Sequence, residues 1–337
     1  MSKLNEQFDE FLSNIEPDEE ARKYAQEAHK PIREHLEEDE EFGEFFEGSF
    51  LYGSYARHTA VDEIKDIDIV VLTNFDPNNL DHSPKKVLKK LKKALNKYYE
   101  DADSTEYQRK SIKVKDPLPD YPDVYMTLDI IPAIELDGED SPLLVPDIET
   151  DTWVKSHPRA HMEYTRKLND EDHCSGNFVP LVKMMKHWWN YNKSKKNAKP
   201  KGFWLEVLTG NIVNYSEDTF VDYFISTLEN ILERYKNYEG YISVPELDDP
   251  GLANEIIKTS MTIEEFRSFM DTVKISLDKA KEARDEEDSI KSSKKWNKIF
   301  GEEFPIIEEV DEKSEKGTLV LGNTDHAKSL IWPYSSQ

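Results

Sequence analysis

Two kinds of hydrophobic spacing alternate along the chain. Residues 6–47 read as helical and strongly acidic, with a helix start at Pro17-Asp18-Glu19-Glu20, where proline sits near the first position and acids fill the first turn. Pro31 is expected to kink or break that run. Residues 49–52 read as a short strand ending at Gly53. A second strand covers 67–72; after Asp68 both of its faces are apolar (Ile69, Val70, Val71, Leu72), as in a covered central strand. Residues 84–99 form an amphipathic helix, with Val87, Leu88, Leu91 and Leu95 inward and a row of lysines outward. Residues 107–114 alternate as a strand, Pro117, Pro119 and Pro122 mark a loop, and 124–134 read as a further strand containing Asp129. Residues 142–158 read as a proline-punctuated crossover. From His161 the pattern is largely helical to about residue 300, with a loop near 245–251 and no second set of alternating strands. The tail beyond Pro305 is polar and weakly periodic, the composition of a loosely ordered segment.

Length and composition narrow the classes. At 337 residues the chain suggests two domains or one large bilobal one, and 37% hydrophobic residues suffice for a core. A formal net charge of −25 repels polyanions, so bulk DNA or RNA is disfavoured as a partner, whereas small nucleotides carried as Mg²⁺ complexes remain open. The single cysteine, Cys174, rules out an internal disulfide and fits a reducing compartment. No signal-peptide pattern and no run of ~18 apolar residues occurs, so a cytoplasmic protein without a membrane span is expected.

The candidate chemistry is concentrated in GSYARHTAVDEIKDIDIVVL. Gly53-Ser54 makes a tight turn into a helix, where backbone N–H groups and the Ser54 hydroxyl suit a triphosphate. Ser54 as a simple N-cap is the bland alternative. Asp66 and Asp68, at i and i+2 in a strand, project from one face and repel unless a cation lies between them. Asp129 lies in the apolar strand YMTLDIIPAI, where an isolated carboxylate is costly, and its phase groups it with Tyr125, Thr127 and Ile131. If the two strands pair, three carboxylates meet at a two-metal site. One ion would activate a ribose hydroxyl, the other would hold the triphosphate and the leaving pyrophosphate, and Asp129 would help accept the proton. Mg²⁺ is the expected ion, with Mn²⁺ as a substitute.

A second constellation lies in the helical half. In FVPLVKMMKHWWNYNK, Leu181, Val182, Met185, Trp188 and Trp189 make an apolar stripe, with Lys183, Lys186 and Asn190 on the other side. Those lysines read either as a solvated face or, for one facing a triphosphate cleft, as a point charge. Lys201-Gly202-Phe203 opens another helix; Gly202 permits close backbone approach, and Phe203 reads equally as core or as a base-stacking ring. The lysine-rich helix at 85–97 reads as a solvated face rather than an anion site. The scattered histidines lack zinc-ligand spacing.

These residues resemble the DNA polymerase β-like nucleotidyltransferase superfamily, and more closely the bacterial cGAS/DncV-like nucleotidyltransferases (CD-NTases) with a SMODS-type catalytic domain. Gly53-Ser54-x-x-Arg57-x-Thr59, Asp66-x-Asp68 and Leu128-Asp129-Ile130-Ile131-Pro132 stand in that family's order and spacing. The segments 153–164, 181–188, Lys201-Gly202-Phe203-x-Leu205-Glu206 and 296–301 are similar to its helical-lobe motifs, and the N-terminal segment with the KGF motif leans toward clade D. The resemblance implies an α+β, bilobal fold with a mixed-sheet catalytic lobe, a helical lobe and a cleft between them. The corresponding division is 1–158, 159–305 and a tail at 306–337. It implies Mg²⁺-dependent synthesis of cyclic di- or trinucleotides from NTPs, ATP among them, in anti-phage (CBASS) signalling. It implies that Lys186 touches the donor triphosphate and, by family analogy, that a HORMA-type protein acts as activator. Where several relatives carry Ser beside the triphosphate, this chain has Gly202, which leaves a backbone N–H in its place. The alternatives are a linear-product or protein-modifying nucleotidyltransferase and a catalytically silent nucleotide-binding regulator.

Overall fold

Alternation along one strand organises the first half of the chain. The computed structural model describes residues 4–308, apart from 18, 63–65, 100–103, 119–120, 137, 139–140, 171 and 196–197. In chain order the elements are helices α1 (Asn5–Asn14) and α2 (Glu19–Glu38), strand β1 (Phe46–Tyr52), the short helix α3 (Gly53–Ala56), strand β2 (Asp66–Thr73) and helix α4 (Pro84–Tyr99). Strands β3 (Thr105–Tyr107), β4 (Ile112–Leu118), β5 (Tyr121–Glu135), β6 (Leu143–Asp147) and β7 (Thr152–Ser156) follow. Helices α5 (Pro158–Asn169), α6 (Phe178–Asn192), α7 (Gly202–Ile212), α8 (Phe220–Arg234), α9 (Ile263–Arg284) and α10 (Ser289–Phe300) complete the order. The sheet runs β1-β2-β5-β4-β3, with β6 and β7 extending from β5. Only β2 and β5 pair in parallel, which the crossover through α4, β3 and β4 makes possible.

Ile67, Ile69 and Val71 of β2 join Leu128, Ile130, Ile112 and Val114 in a core covered by α2 and α4. From α4, Val87, Leu88, Leu91 and Leu95 enter it, matching the expected apolar face. Four of the α4 lysines find side-chain partners within the chain. Lys86 pairs with Asp81 at 2.6 Å and Lys97 with Asp39 at 2.7 Å. Lys93 pairs with Glu41, and Lys92 donates to the Thr105 carbonyl at 2.5 Å.

Several expectations change. Pro31 lies inside α2 without ending it; burial of Ala25, Ile32 and Leu36 on both sides of it offsets the lost hydrogen bond. The single strand expected at 107–114 is a hairpin of β3 and β4, turned where Gln108 N–H donates to the Ser111 carbonyl at 2.9 Å. Strand pairing continues through Pro117, which faces Tyr125 just before a register shift. The expected crossover at 142–158 is the β6–β7 hairpin. Pro146 fits there because β6 pairs with β5 only at Leu143 and Leu144, so its missing N–H faces no second strand.

The second half is helical, as expected, around Trp188, Trp296, Phe224, Phe266, Phe269 and Phe300. Helix α1 joins this core rather than the sheet lobe to which its position in the sequence assigns it. Phe8 packs edge-on to Trp296 at 5.1 Å, and Phe11 lies 4.5 Å from Phe300. The chain stays packed just past Pro305, where Ile307 N–H donates to Ser293 Oγ at 3.0 Å; the rest of the expected tail, 309–337, lies outside the described residues. Among the described residues no helix is long and apolar enough to cross a membrane.

Because Phe11 is fully buried among α6, α10 and Phe304, Phe11→Ala is expected to cost about 3–5 kcal/mol. Urea unfolding checks this. A change under about 0.5 kcal/mol, the usual surface value, would show α1 to be detachable.

Candidate active site

Pairing brings Asp66, Asp68 and Asp129 onto one face of the sheet. In the β2–β5 register Asp68 stands level with Asp129, and Asp66 level with Thr127; neighbours in register share a face. On the other side of β2, Tyr52 is level with Asp68, and on β4 Lys113 is level with Asp129. This face is opposite the α2/α4 core. Burial, followed by the charges of Asp66 and Asp129, pushes the Asp68 carboxyl up to about 7, with Arg57 opposing. Burial and Asp66 likewise raise Asp129, against Lys113 and a hydrogen bond from Ser111.

The Oδ1 atom of Asp129 is buried with no hydrogen-bond partner. Native structures leave few such atoms, and a cation would satisfy this one while relieving the repulsion. Among the described residues no three His, Cys, Asp or Glu side chains close into a metal cage by themselves. Magnesium sites seldom need such a cage, since one or two carboxylates and substrate phosphates suffice. The donor set therefore fits a hard divalent ion.

The turn before α3 is packed onto this acidic face. Gly53 has φ +77°, and a Cβ there would lie 1.8 Å from Asp68 Oδ2, so glycine is required twice over. Tyr52, not Ser54, occupies the N-cap position, which removes the simple capping role considered for Ser54. Two backbone bonds close the turn: Arg57 N–H donates to the Gly53 carbonyl at 3.1 Å, and Thr59 N–H to the Ser54 carbonyl at 2.9 Å.

The helical-lobe candidates take less expected positions. Lys186 is neither on a solvated face nor free. Its ammonium donates to the Thr59 carbonyl at 3.0 Å, to Thr59 Oγ1 at 2.8 Å and to Glu206 Oε2 at 2.8 Å, which uses all three donors. Burial pushes its pKa down, with Glu206 opposing. Gly202 sits against the Lys186 stem, where an added Cβ would touch Cε at 3.4 Å. Lys201 is exposed at the start of α7. Phe203 is half-buried, with the Arg57 guanidinium 4.9 Å over its ring and His161 4.9 Å away, so protein groups already engage it.

Two groups of residues received no site role from the sequence, although Arg57, Thr59 and Glu206 stand in its motifs. Arg57, Thr59, Thr165 and Glu206 converge with Lys186 in one buried cluster. A signal was present: Glu206 in the apolar helix GFWLEVLTG needs a buried partner as much as Asp129 does in its strand. In the second group Tyr52 Oη bonds His161 Nδ1 at 2.9 Å, and His161 Nε2 bonds Asp249 at 2.6 Å. This chain pins the 245–251 loop beside the acidic face. Only tertiary contact reveals it.

Comparison with known proteins gives the family and the fold. Residues 1–169 match the Second Messenger Oligonucleotide or Dinucleotide Synthetase (SMODS) domain family. The chain is 33% identical, over 89% of its length and 85% of the relative's, to a cyclic AMP-AMP-AMP synthase of Acinetobacter sp. (strain ATCC 27244 / 9458). It is 26% identical, over 90% of its length and 92% of the relative's, to a cyclic AMP-AMP-GMP synthase of Enterobacter hormaechei subsp. hoffmannii (strain UCI 50). Its fold is similar to that of E. coli MS115-1 CdnC, solved in complex with HORMA-deltaN, with a TM-score of 0.71 at 15% identity over 89% of this chain and 98% of that one. The same CdnC with ATP gives a TM-score of 0.70.

Two predictions follow from the geometry. The folded pKa of Asp68 lies above the ~3.9 of an unfolded aspartate, so stability is lost as pH rises from ~4 through about 7. Without divalent ions, Asp68→Asn should therefore raise the melting temperature at pH 8, by up to about 4 kcal/mol of stability, and change little at pH 4. A pH series of thermal melts decides it; destabilisation at pH 8 would refute the assigned repulsion. Gly53→Ala should lower turnover by about 100-fold or more, because the turn must shift by an ångström or so. Steady-state kinetics on the folded variant check this.

Proposed function

We propose, from the premise that the chain belongs to the SMODS family of nucleotidyltransferases, that it is a cyclic oligonucleotide synthase acting on NTPs. The observation that carries the reading is the register of Asp68 with Asp129, with the Gly53 turn packed directly on Asp68. An acidic face and a phosphate-sized turn in contact suit nucleotidyl transfer, in which a ribose hydroxyl attacks an α-phosphate and pyrophosphate leaves. Repeated transfer and ring closure in one cleft give the product. The names of the two curated relatives support ATP as a substrate and a ring of three nucleotides.

Asp66, Asp68 and Asp129 would hold divalent cations, Mg²⁺ or in its place Mn²⁺, which when bound supply positive charge to the triphosphate and acidify the attacking hydroxyl. Asp129, whose Oδ1 is buried without a hydrogen-bond partner, would complete the ion near the attacking hydroxyl and help accept that hydroxyl's proton. Gly53 and Ser54 bind the triphosphate through backbone N–H groups and the Ser54 hydroxyl. Lys201 and the Gly202 N–H at the start of α7 form the other side of the cleft, and Phe203 flanks the base. Lys186 acts on the triphosphate as a nearby charge whose hydrogen bonds go to Thr59 and Glu206. The setting we propose is the cytoplasm, in CBASS signalling. A HORMA-type activator is part of the proposal because CdnC, of similar fold, was solved with one.

The test incubates purified protein with the four NTPs and Mg²⁺, with and without a candidate HORMA-type protein, and reads phosphatase-treated products by mass spectrometry. A phosphatase-resistant cyclic mass is expected, absent from the Asp66→Ala/Asp68→Ala variant. Linear products alone, or cyclic product from the double variant, would overturn the reading.

A further inference from the structure

Glu206 lies in α7 of the helical lobe and is fully buried. Its carboxylate accepts from Arg57 Nε at 2.8 Å, Arg57 Nη2 at 3.4 Å, Thr59 Oγ1 at 2.9 Å, Thr165 Oγ1 at 2.9 Å and Lys186 Nζ at 2.8 Å. Burial alone would raise its pKa, but Lys186 and Arg57 more than reverse that and hold it ionised. Two of these donors, Arg57 and Thr59, come from the sheet lobe. They are also the residues whose backbone N–H groups hold the carbonyls of Gly53 and Ser54. Glu206 therefore reaches both residues of the turn through two separate relays of one side chain and one backbone bond.

The cluster is not a balanced structural ion pair. Arg57 and Lys186 face one carboxylate, Arg57 also acts on the Asp68 carboxyl on the acidic face, and Arg57 Nη1 is buried without a partner. A buried triad kept only for stability is often no better than apolar packing, and an unfilled guanidinium donor adds a further cost. Tyr52 and Phe203 stack on the same guanidinium, so its plane is fixed.

We propose that Glu206 is a positioning residue for nucleotidyl transfer, fixing the Gly53-Ser54 turn from the helical lobe through Arg57 and Thr59. This rests on the reading of that turn as the triphosphate site. The helical lobe thereby sets the position of the turn that holds the phosphate.

The experiment compares Glu206→Gln, Thr59→Val and Thr59→Ser with Leu208→Ala, a cavity variant of the same buried helix. All are assayed below their melting temperatures. Glu206→Gln should lower kcat about 100-fold, with KM for the NTP rising about tenfold or less. Thr59→Val should lose about tenfold in kcat and Thr59→Ser should be near wild type, while Leu208→Ala loses stability but keeps its kcat. Amide hydrogen exchange without nucleotide should speed up at Arg57 and Thr59 in Glu206→Gln, with α6 still protected. Wild-type kcat in folded Glu206→Gln, equal kcat loss in Leu208→Ala, or unchanged exchange at Arg57 and Thr59 would each overturn the proposal. Exchange needs no product, so it decides the coupling even if the wild-type protein makes none, an outcome that counts against the proposed function alone.

Discussion

Parallel pairing of β2 with β5 sets Asp68 beside Asp129, and the Gly53 turn packs on the acidic face that this creates. Burial first, and neighbouring aspartate charges second, raise the Asp68 and Asp129 carboxyls and favour protonation. The register cannot relax by slipping, because a one-residue shift would turn Ile67, Ile69 and Val71 out of the core. The apolar face of β2 thus holds its acidic face in place. The donors on that face suit a hard divalent cation.

The seam between the lobes obeys the opposite electrostatics. Here unlike charges are brought together, buried on both sides at Lys186–Glu206 and partly exposed at Glu16 and Asp62. On α6, Lys183 meets Glu16, Lys186 meets Glu206 and Thr59, and His187 bonds Asp62 on one nitrogen and the Phe300 carbonyl on the other. Both His187 partners are oxygens, so both nitrogens donate; although burial lowers the pKa of His187, Asp62 and the carbonyl raise it overall. Desolvating these groups offsets much of the Coulombic gain, so they add little net stability. What they add is a single arrangement of the lobes, since any other leaves a buried charge without its partner.

The sequence made the strongly periodic elements legible: α4 at its observed bounds, the central strand, the helical second half and the acids of the site. It also made the Gly53 turn legible, because a glycine followed by Ser and later by Asp-x-Asp has few uses. The β3–β4 turn was obscured because Gln108-Arg109-Lys110-Ser111 carries neither Gly nor Pro, and β6–β7 because prolines read locally as breakers, whereas Pro146 lies where β6 pairs with β7 alone. The polar side of α6 read as solvated, because a helix pattern says which face is polar but not what covers it.

What the sequence determined by itself was therefore local: which residues alternate, which stripe is apolar, and which carboxylates lie in apolar surroundings. Those follow from the periods of strand and helix, which neighbouring residues fix. What the tertiary structure decided was partnership: Asp68 with Asp129, α1 with the helical core, and Glu206 with Arg57 and Thr59 across nearly half the chain. Charge and register are settled between segments far apart in sequence, by the burial that only the assembled lobes create, and no local pattern contains that information.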